Sequence, residues 1–316
     1  MTSIVFMGTP QFAATILEAL IDAHYDIKAV VTQPDRKVGR KHILTPSAVK
    51  IVALENHIKV FQPEKISGSA EMQSIITIHP DLIVTAAFGQ FLPMKLIAAA
   101  KIGAINVHGS LLPKYRGGAP VQYAIKNGDK KTGVSIIYMI KKMDAGDILA
   151  QAEMPITKSD DTGSIFEKMS ILGAKVLLET IPKLVKGEIH VIPQDESQVV
   201  FSPTIKPAEE ELHLTQTANE IDWQVRALRP AVGAYFKNFK GKRTKLWNVD
   251  VLDETTTQRP GTVVRVDKHT LVLSAADGTV YRINELQPAG KPKMNITAYL
   301  NGIGQGIKIG QELINE

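Results

Sequence analysis

Along residues 1–189, short runs of β-branched and other apolar residues alternate with longer stretches in which apolar positions return every three or four residues. The short runs at 4–7, 27–31, 82–86, 104–108 and 134–138 predict strands, and the longer stretches at 11–23, 119–127 and 164–185 predict helices. This alternation predicts an α/β unit with a doubly wound, mostly parallel, Rossmann-like sheet covered by helices on both faces. After Gly187 the texture changes. Pro193, Pro203 and Pro207 punctuate a polar stretch that runs into Glu209-Glu210-Glu211, which predicts a linker over 190–207 between a first domain, 1–189, and a second, 208–316. From Ala234 onward short strands are expected at 245–251, 262–266, 271–274 and 280–283, separated by turn signals such as Asp277-Gly278. A small OB-like β-barrel is the expectation for this part.

Composition narrows the class. A chain of 316 residues with 44% hydrophobic and 22% charged residues has the profile of a soluble globular protein of about two domains. Apolar runs stay far below the ~20 residues a membrane helix needs, and the start, Met1-Thr2-Ser3-Ile4-Val5-Phe6, has no basic flank or cleavage site, so a cytoplasmic setting is expected. Cysteine is absent, which excludes disulfides, thiolate nucleophiles and cysteine-bound metal clusters. The net charge of +5 is compatible with a polyanionic partner but common among ordinary enzymes. The first predicted strand ends in Gly8-Thr9-Pro10, without the Gly-x-Gly-x-x-Gly that cradles a dinucleotide, and no Walker motif occurs. Nicotinamide and nucleoside-triphosphate chemistry are both disfavoured.

The most informative stretch is Ala104-Ile105-Asn106-Val107-His108-Gly109-Ser110-Leu111-Leu112-Pro113. On a strand, side chains alternate, so Asn106 and His108 share one face while Ile105 and Val107 pack on the other. Both stand at the carboxyl end of a predicted strand, where open α/β sheets form ligand crevices. Taken alone, an Asn-x-His pair also fits two buried groups bonded to backbone. Asp144, in Met143-Asp144-Ala145-Gly146-Asp147, also fits a simple turn aspartate, and spacing does not connect it to His108.

Residues 106–120, Asn-Val-His-Gly-Ser-Leu-Leu-Pro-Lys-Tyr-Arg-Gly-Gly-Ala-Pro, and 143–149, Met-Asp-Ala-Gly-Asp-Ile-Leu, resemble signatures of the methionyl-tRNA formyltransferases, within the wider group of folate-dependent formyltransferases. The resemblance takes in the start, Phe6-Met7-Gly8-Thr9-Pro10, the segment Gln33-Pro34-Asp35-Arg36-Lys37-Val38-Gly39-Arg40-Lys41, and, near the C-terminus, Arg226-Ala227-Leu228-Arg229-Pro230, Gly233-Ala234-Tyr235 and residues 286–291.

What the resemblance implies is formyl transfer from 10-formyltetrahydrofolate to the α-amino group of methionine on initiator methionyl-tRNA, with Asn106, His108 and Asp144 as the catalytic core and no metal. In that scheme Asn106 and His108 stabilise negative charge on the formyl oxygen, His108 moves the proton, and Asp144 supports and orients His108 or holds a relaying water. Ser110, Leu111, Leu112 and Pro113 are the expected folate loop, with Phe88 and Gly89 as a wall. Two basic clusters are the expected tRNA contacts: Arg36, Lys37, Arg40 and Lys41, on a segment of thirteen residues between Thr32 and Pro46 that reads as a mobile loop, and Lys237, Lys240, Lys242, Arg243 and Lys245. No membrane and no obligate protein partner is expected. Rival readings keep the donor but formylate a sugar or nucleotide amine, or water, or make the chain a non-catalytic RNA-binding protein.

Overall fold

The computed structural model describes residues 1–39 and 42–315. They form two compact units: the first comprises residues 1–120, 131–155 and 166–203, and the second comprises 121–130, 156–165 and the chain from Thr204 on. Residues 190–203 of the expected linker thus belong to the first unit, and two short segments from the N-terminal half belong to the second.

In chain order the N-terminal part contains β1 (Ser3–Gly8), α1 (Gln11–Asp22), β2 (Asp26–Val31), β3 (Arg36–Val38), β4 (Ile43–Thr45), α2 (Ala48–Glu55), β5 (Val60–Phe61), α3 (Ala70–Ile78), β6 (Leu82–Ala86), α4 (Met94–Ile97), β7 (Gly103–His108), α5 (Pro120–Lys126), β8 (Lys131–Tyr138), β9 (Ile148–Pro155) and α6 (Thr162–Lys186). The sheet runs β5-β2-β1-β6-β7-β8-β9. Its first five strands are parallel, while β8 is antiparallel to both β7 and β9. Chain order reverses between β1 and β6, which makes their carboxyl ends, Gly8 and Ala86, the switch point where open sheets leave a crevice. Val5 and Met7 of β1, Ile83 of β6 and Ala104 of β7 bury one face against Ile75 of α3 and Leu96 and Ile97 of α4. On the other face Gly173 of α6 lies so close to Val107, Ile16 and Val134 that an added Cβ would stand 3.2 Å from the Val107 side chain.

The stretch expected as a mobile loop at 33–45 holds a hairpin instead. Strands β3 and β4 pair through Arg36↔Thr45, Lys37↔Leu44 and Val38↔Ile43, because Val38, Ile43 and Thr45 are β-branched and favour extended backbone. Arg40 and Lys41 lie outside the described residues. Strand β9, unforeseen in the sequence, buries Ile148 and Leu149 and then alternates half-buried and exposed positions, with polar side chains such as Gln151 and Glu153 that blur its apolar period.

In the second unit, α7 (Ala218–Leu228) starts at a capping box in which Thr217 and Glu220 satisfy each other's backbone N–H groups. It packs on an antiparallel sheet of β10 (Ala234–Phe239), β11 (Lys242–Thr255), β12 (Val263–Val266), β13 (Leu271–Ser274), β14 (Thr279–Pro288) and β15 (Met294–Asn295), followed by α8 (Ile296–Leu300). The order is β10-β11-β14-β13-β12, with β15 pairing β14. Both edges are met by the C-terminal segment: Ile314 bridges Phe239 at the β10 edge, and Glu312 bridges Thr262 beside β12. Lys240 donates its N–H to the Leu313 carbonyl at 2.6 Å, and Val263 donates to that of Gln311 at 2.9 Å. Leu212 is buried in this unit's core. Among the described residues no helix is long and apolar enough to cross a membrane.

Leu313 and Ile314 are both 2% exposed, so they seal the core while their backbone covers the sheet edges. Leu313→Ala is expected to lower the stability of this unit by ~2–5 kcal/mol, the usual cost of a large-to-small core change. Urea denaturation followed through Trp247 fluorescence checks this.

Candidate active site

Asn106 lies opposite Thr85 of β6 and Ile137 of β8 in the sheet register. The Thr85 hydroxyl donates to Asn106 Oδ1 at 2.7 Å. This fixes the amide so that its NH₂ is the outward group, and Nδ2 has no partner among the described residues. Two positions on, His108 is 6% exposed and its Nε2 stands 2.9 Å from the Tyr115 carbonyl. A carbonyl only accepts, so Nε2 carries the proton of that bond and Nδ1 is the atom left for chemistry. Asp144 Oδ1 is 3.7 Å from His108 Nδ1, close enough to act by charge but beyond hydrogen-bond length. Its other oxygen, Oδ2, accepts the Gly117 N–H at 3.0 Å. The ring is therefore oriented by the Tyr115 carbonyl, where the sequence suggested Asp144.

Backbone conformation around the pair is costly. Tyr115 and Asp144 both adopt left-handed dihedrals, with φ of 66° and 50°, and so does Ala87, next to Phe88, at 45°. Non-glycine residues held there cost on the order of 1–3 kcal/mol each and persist only where the surroundings over-determine them.

The loop after β7 is held by two side chains that sequence reasoning missed. Ser135 of β8, opposite His108 in the register, donates its hydroxyl to the Ser110 carbonyl at 2.6 Å and accepts the Leu112 N–H at 3.1 Å. Gln151 of β9 donates to the Leu112 carbonyl and to Ser135 Oγ, both at 2.8 Å. The signal for Ser135 is a serine inside the apolar run at 134–138, whereas Gln151 sits on an unforeseen strand. Leu112 is buried against Ile137 and Ile148, while Leu111 and Pro113 are half-buried. Ser110 is fully buried and donates to the Lys114 carbonyl at 2.7 Å. At the switch point, Phe88 turns its ring into the core, and its carbonyl accepts from the Thr9 hydroxyl at 3.2 Å and from Gln33 Nε2 at 3.0 Å. Gly89 beside it is exposed with φ of 84°.

The described members of both basic clusters are exposed, apart from the half-buried Lys245, and several are paired. Arg36 makes a fork with Glu64 at 3.3 and 2.6 Å, and Lys37 follows it on β3. In the second unit Lys237 pairs with Glu211 at 2.9 Å, and Lys240 reaches the carbonyls of Ile303 and Gln305. Lys242 is exposed. The Arg243 guanidinium lies 3.6 Å from the centre of the Tyr235 ring, and Lys245 bonds the Val232 carbonyl beside Trp247.

The family model described as formyl transferase matches residues 1–181, and that of the formyl transferase C-terminal domain matches 204–304. The chain is 69% identical to a methionyl-tRNA formyltransferase of Ligilactobacillus salivarius, covering 100% of this chain and 99% of that protein. To the enzyme of that name in Lactiplantibacillus plantarum it is 65% identical over 100% of both chains. Among solved structures, the sugar 3N-formyl transferase WlaRD, determined with dTDP and 5-N-formyl-THF, shares the fold at a TM-score of 0.68 and 18% identity, over 92% of this chain and 99% of that one. HypX from Aquifex aeolicus, in complex with tetrahydrofolic acid, is similar in fold at a TM-score of 0.64 and 16% identity, over 98% of this chain and 48% of that one. With identity this high along its full length and both family models matched, the chain belongs to the methionyl-tRNA formyltransferases.

Proposed function

We propose that this enzyme transfers the formyl group of 10-formyltetrahydrofolate to the α-amino group of methionine on initiator methionyl-tRNA through Asn106, His108 and Asp144. The observation that carries the assignment is the pair on β7: an Asn106 amide with its oxygen tied to Thr85 and its NH₂ available, beside a His108 with Nε2 tied and Nδ1 facing a carboxylate.

An α-amino group titrates near pH ~8, so the attacking amine needs little activation. The folate supplies the formyl carbon. Asn106 Nδ2 donates to the formyl oxygen as that atom gains negative charge, and because the amide is already oriented it pays no reorganisation at that moment. His108 Nδ1 takes the proton released by the attacking nitrogen and returns it to the leaving folate nitrogen, as an imidazole is suited to do near neutral pH. Asp144 stabilises the imidazolium by its charge. Ser110, Leu111, Leu112 and Pro113, with Phe88 and Gly89, are assigned to the folate. Support comes from a loop backbone pinned by Ser135 and Gln151.

Residues 1–189 are assigned to catalysis and 208–316 to tRNA, with 190–207 as the junction. The second unit is read as a closed OB-like barrel, supported by the C-terminal segment that joins its edge strands. Lys237, Lys240, Lys242, Arg243 and Lys245 there, and Arg36, Lys37, Arg40 and Lys41 in the first unit, are assigned to RNA phosphates and unpaired bases. A cytoplasmic setting follows from a substrate of translation, and no membrane or obligate protein partner is invoked.

His108→Ala is expected to slow single-turnover formylation by ~10²–10⁴-fold, and Asn106→Ala by ~10²–10³-fold, with folate binding retained. A near wild-type rate in either variant sinks the assignment. For RNA, Arg243→Ala is expected to weaken methionyl-tRNA binding and make its salt dependence shallower, by about 0.7–0.9 in the log–log slope for each phosphate the guanidinium neutralises. If the slope measured by filter binding stays put, Arg243 is plain solvated surface.

A further inference from the structure

The segment after α6 closes over the turn that carries Asp144. Ile192 and Ile148 exchange backbone hydrogen bonds at 2.8 and 2.9 Å, and Val200 and Ser202 bond the backbone of Arg116 from either side. The Ser202 hydroxyl donates to the Tyr115 carbonyl at 3.0 Å, the same oxygen that receives His108 Nε2. At the centre is Gln194. Its Nε2 donates to the Asp144 carbonyl at 2.9 Å and to the Gly146 carbonyl at 2.7 Å. Its Oε1 accepts from Arg116 Nε at 3.0 Å and Nη2 at 2.8 Å. All four bonding positions of one primary amide are used. Arg116 is wholly buried and also pairs with Glu196 at 2.9 Å, so Gln194 sits on a guanidinium that cannot move away.

The Asp144 turn needs such a clamp. Asp144 has the left-handed backbone already noted, and at Gly146 an added Cβ would stand 1.9 Å from the Tyr138 carbonyl oxygen, so the turn is pressed against β8 with no slack. We infer that Gln194 is a positioning residue for formyl transfer: its two N–H groups hold the carbonyls of Asp144 and Gly146 and thereby set the distance between the Asp144 carboxylate and His108 Nδ1. This rests on the assignment of Asp144 to catalysis made above. Both ends of the Gln194 amide are taken up by protein groups. It lies in the stretch between the two family matches, so the connecting chain supplies part of the catalytic geometry.

Gln194→Glu separates clamp from scaffold, because a carboxylate still accepts from Arg116 but cannot donate to the two carbonyls. Thermal unfolding of Q194E is expected to match wild type, while kcat falls by about tenfold to a hundredfold, the scale of a ~1 Å misplacement. KM for folate and for methionyl-tRNA should stay within about twofold, as expected when ground-state binding is untouched. Combined with D144N, Q194E should add no further loss, since it acts through Asp144. Wild-type kcat in Q194E beside an impaired D144N, or losses that multiply in the double variant, would overturn the inference alone. Wild-type kcat in D144N would overturn the Asp144 assignment, and this inference with it. Q194A, which also strips the acceptor from Arg116, is expected to unfold at lower temperature than Q194E, and equal unfolding temperatures would count against the clamp-and-scaffold division.

Discussion

The two-residue period of β7 is the constraint from which the site follows. Because successive side chains on a strand point to opposite faces, Val107 is given to the core under α6, and Asn106 and His108 come out together on the face of α3 and α4. The same register sets Thr85 and Ser135 opposite them on neighbouring strands, so the groups that orient Asn106 and the following loop are placed by sheet pairing. A slip of one residue would exchange both polar groups for Ile105 and Val107 and destroy the site and the core at once.

What the strand does not supply, the loops supply under strain. His108 donates to a carbonyl at Tyr115, and Asp144 accepts from an N–H at Gly117, so residues 115–117 hold both His108 and Asp144 from one short piece of chain. That requires left-handed backbone at Tyr115 and a glycine at 117, where φ is 131° and a Cβ would meet the Ser202 carbonyl at 2.5 Å. The unfavourable dihedrals are offset by a dense set of hydrogen bonds to β8, β9 and the segment after α6, none of which is available to an isolated loop.

This division explains what could be read in advance. Five strands and the long helix were legible because each is a continuous apolar pattern, and the shared face of Asn106 and His108 followed from period alone. The paired strands within residues 36–45 read as a loop in sequence because glycine and cations dominate there, although Val38, Ile43 and Thr45 carry the pairing. Ser135, Gln151 and Gln194 were invisible for a different reason. Each acts through hydrogen bonds to backbone 23 to 50 residues away, and a serine or glutamine that clamps a loop looks in sequence like one that faces water. The meeting of the C-terminal segment with both β10 and β12 likewise depends on pairings some 50 to 75 residues apart, beyond any local pattern.

The fold is shared at 16 to 18% identity with proteins named for other work, so acceptor choice cannot be a property of the sheet. It has to reside in side chains, and the cations of the two clusters are the candidates even though several are paired in the protein alone. The cations are exposed in the pairs of Lys237 with the half-buried Glu211 and of Arg36 with Glu64, and surface pairs of this kind contribute little. A phosphate displacing either carboxylate would replace a weak interaction by one that also releases counterions from the RNA. Internal pairing of this kind would therefore set only a small threshold for binding a phosphate, while it holds these long side chains in place. Arg243 goes further: its guanidinium already lies 3.6 Å from the centre of the Tyr235 ring, so an exposed positive charge is held in place in the protein alone.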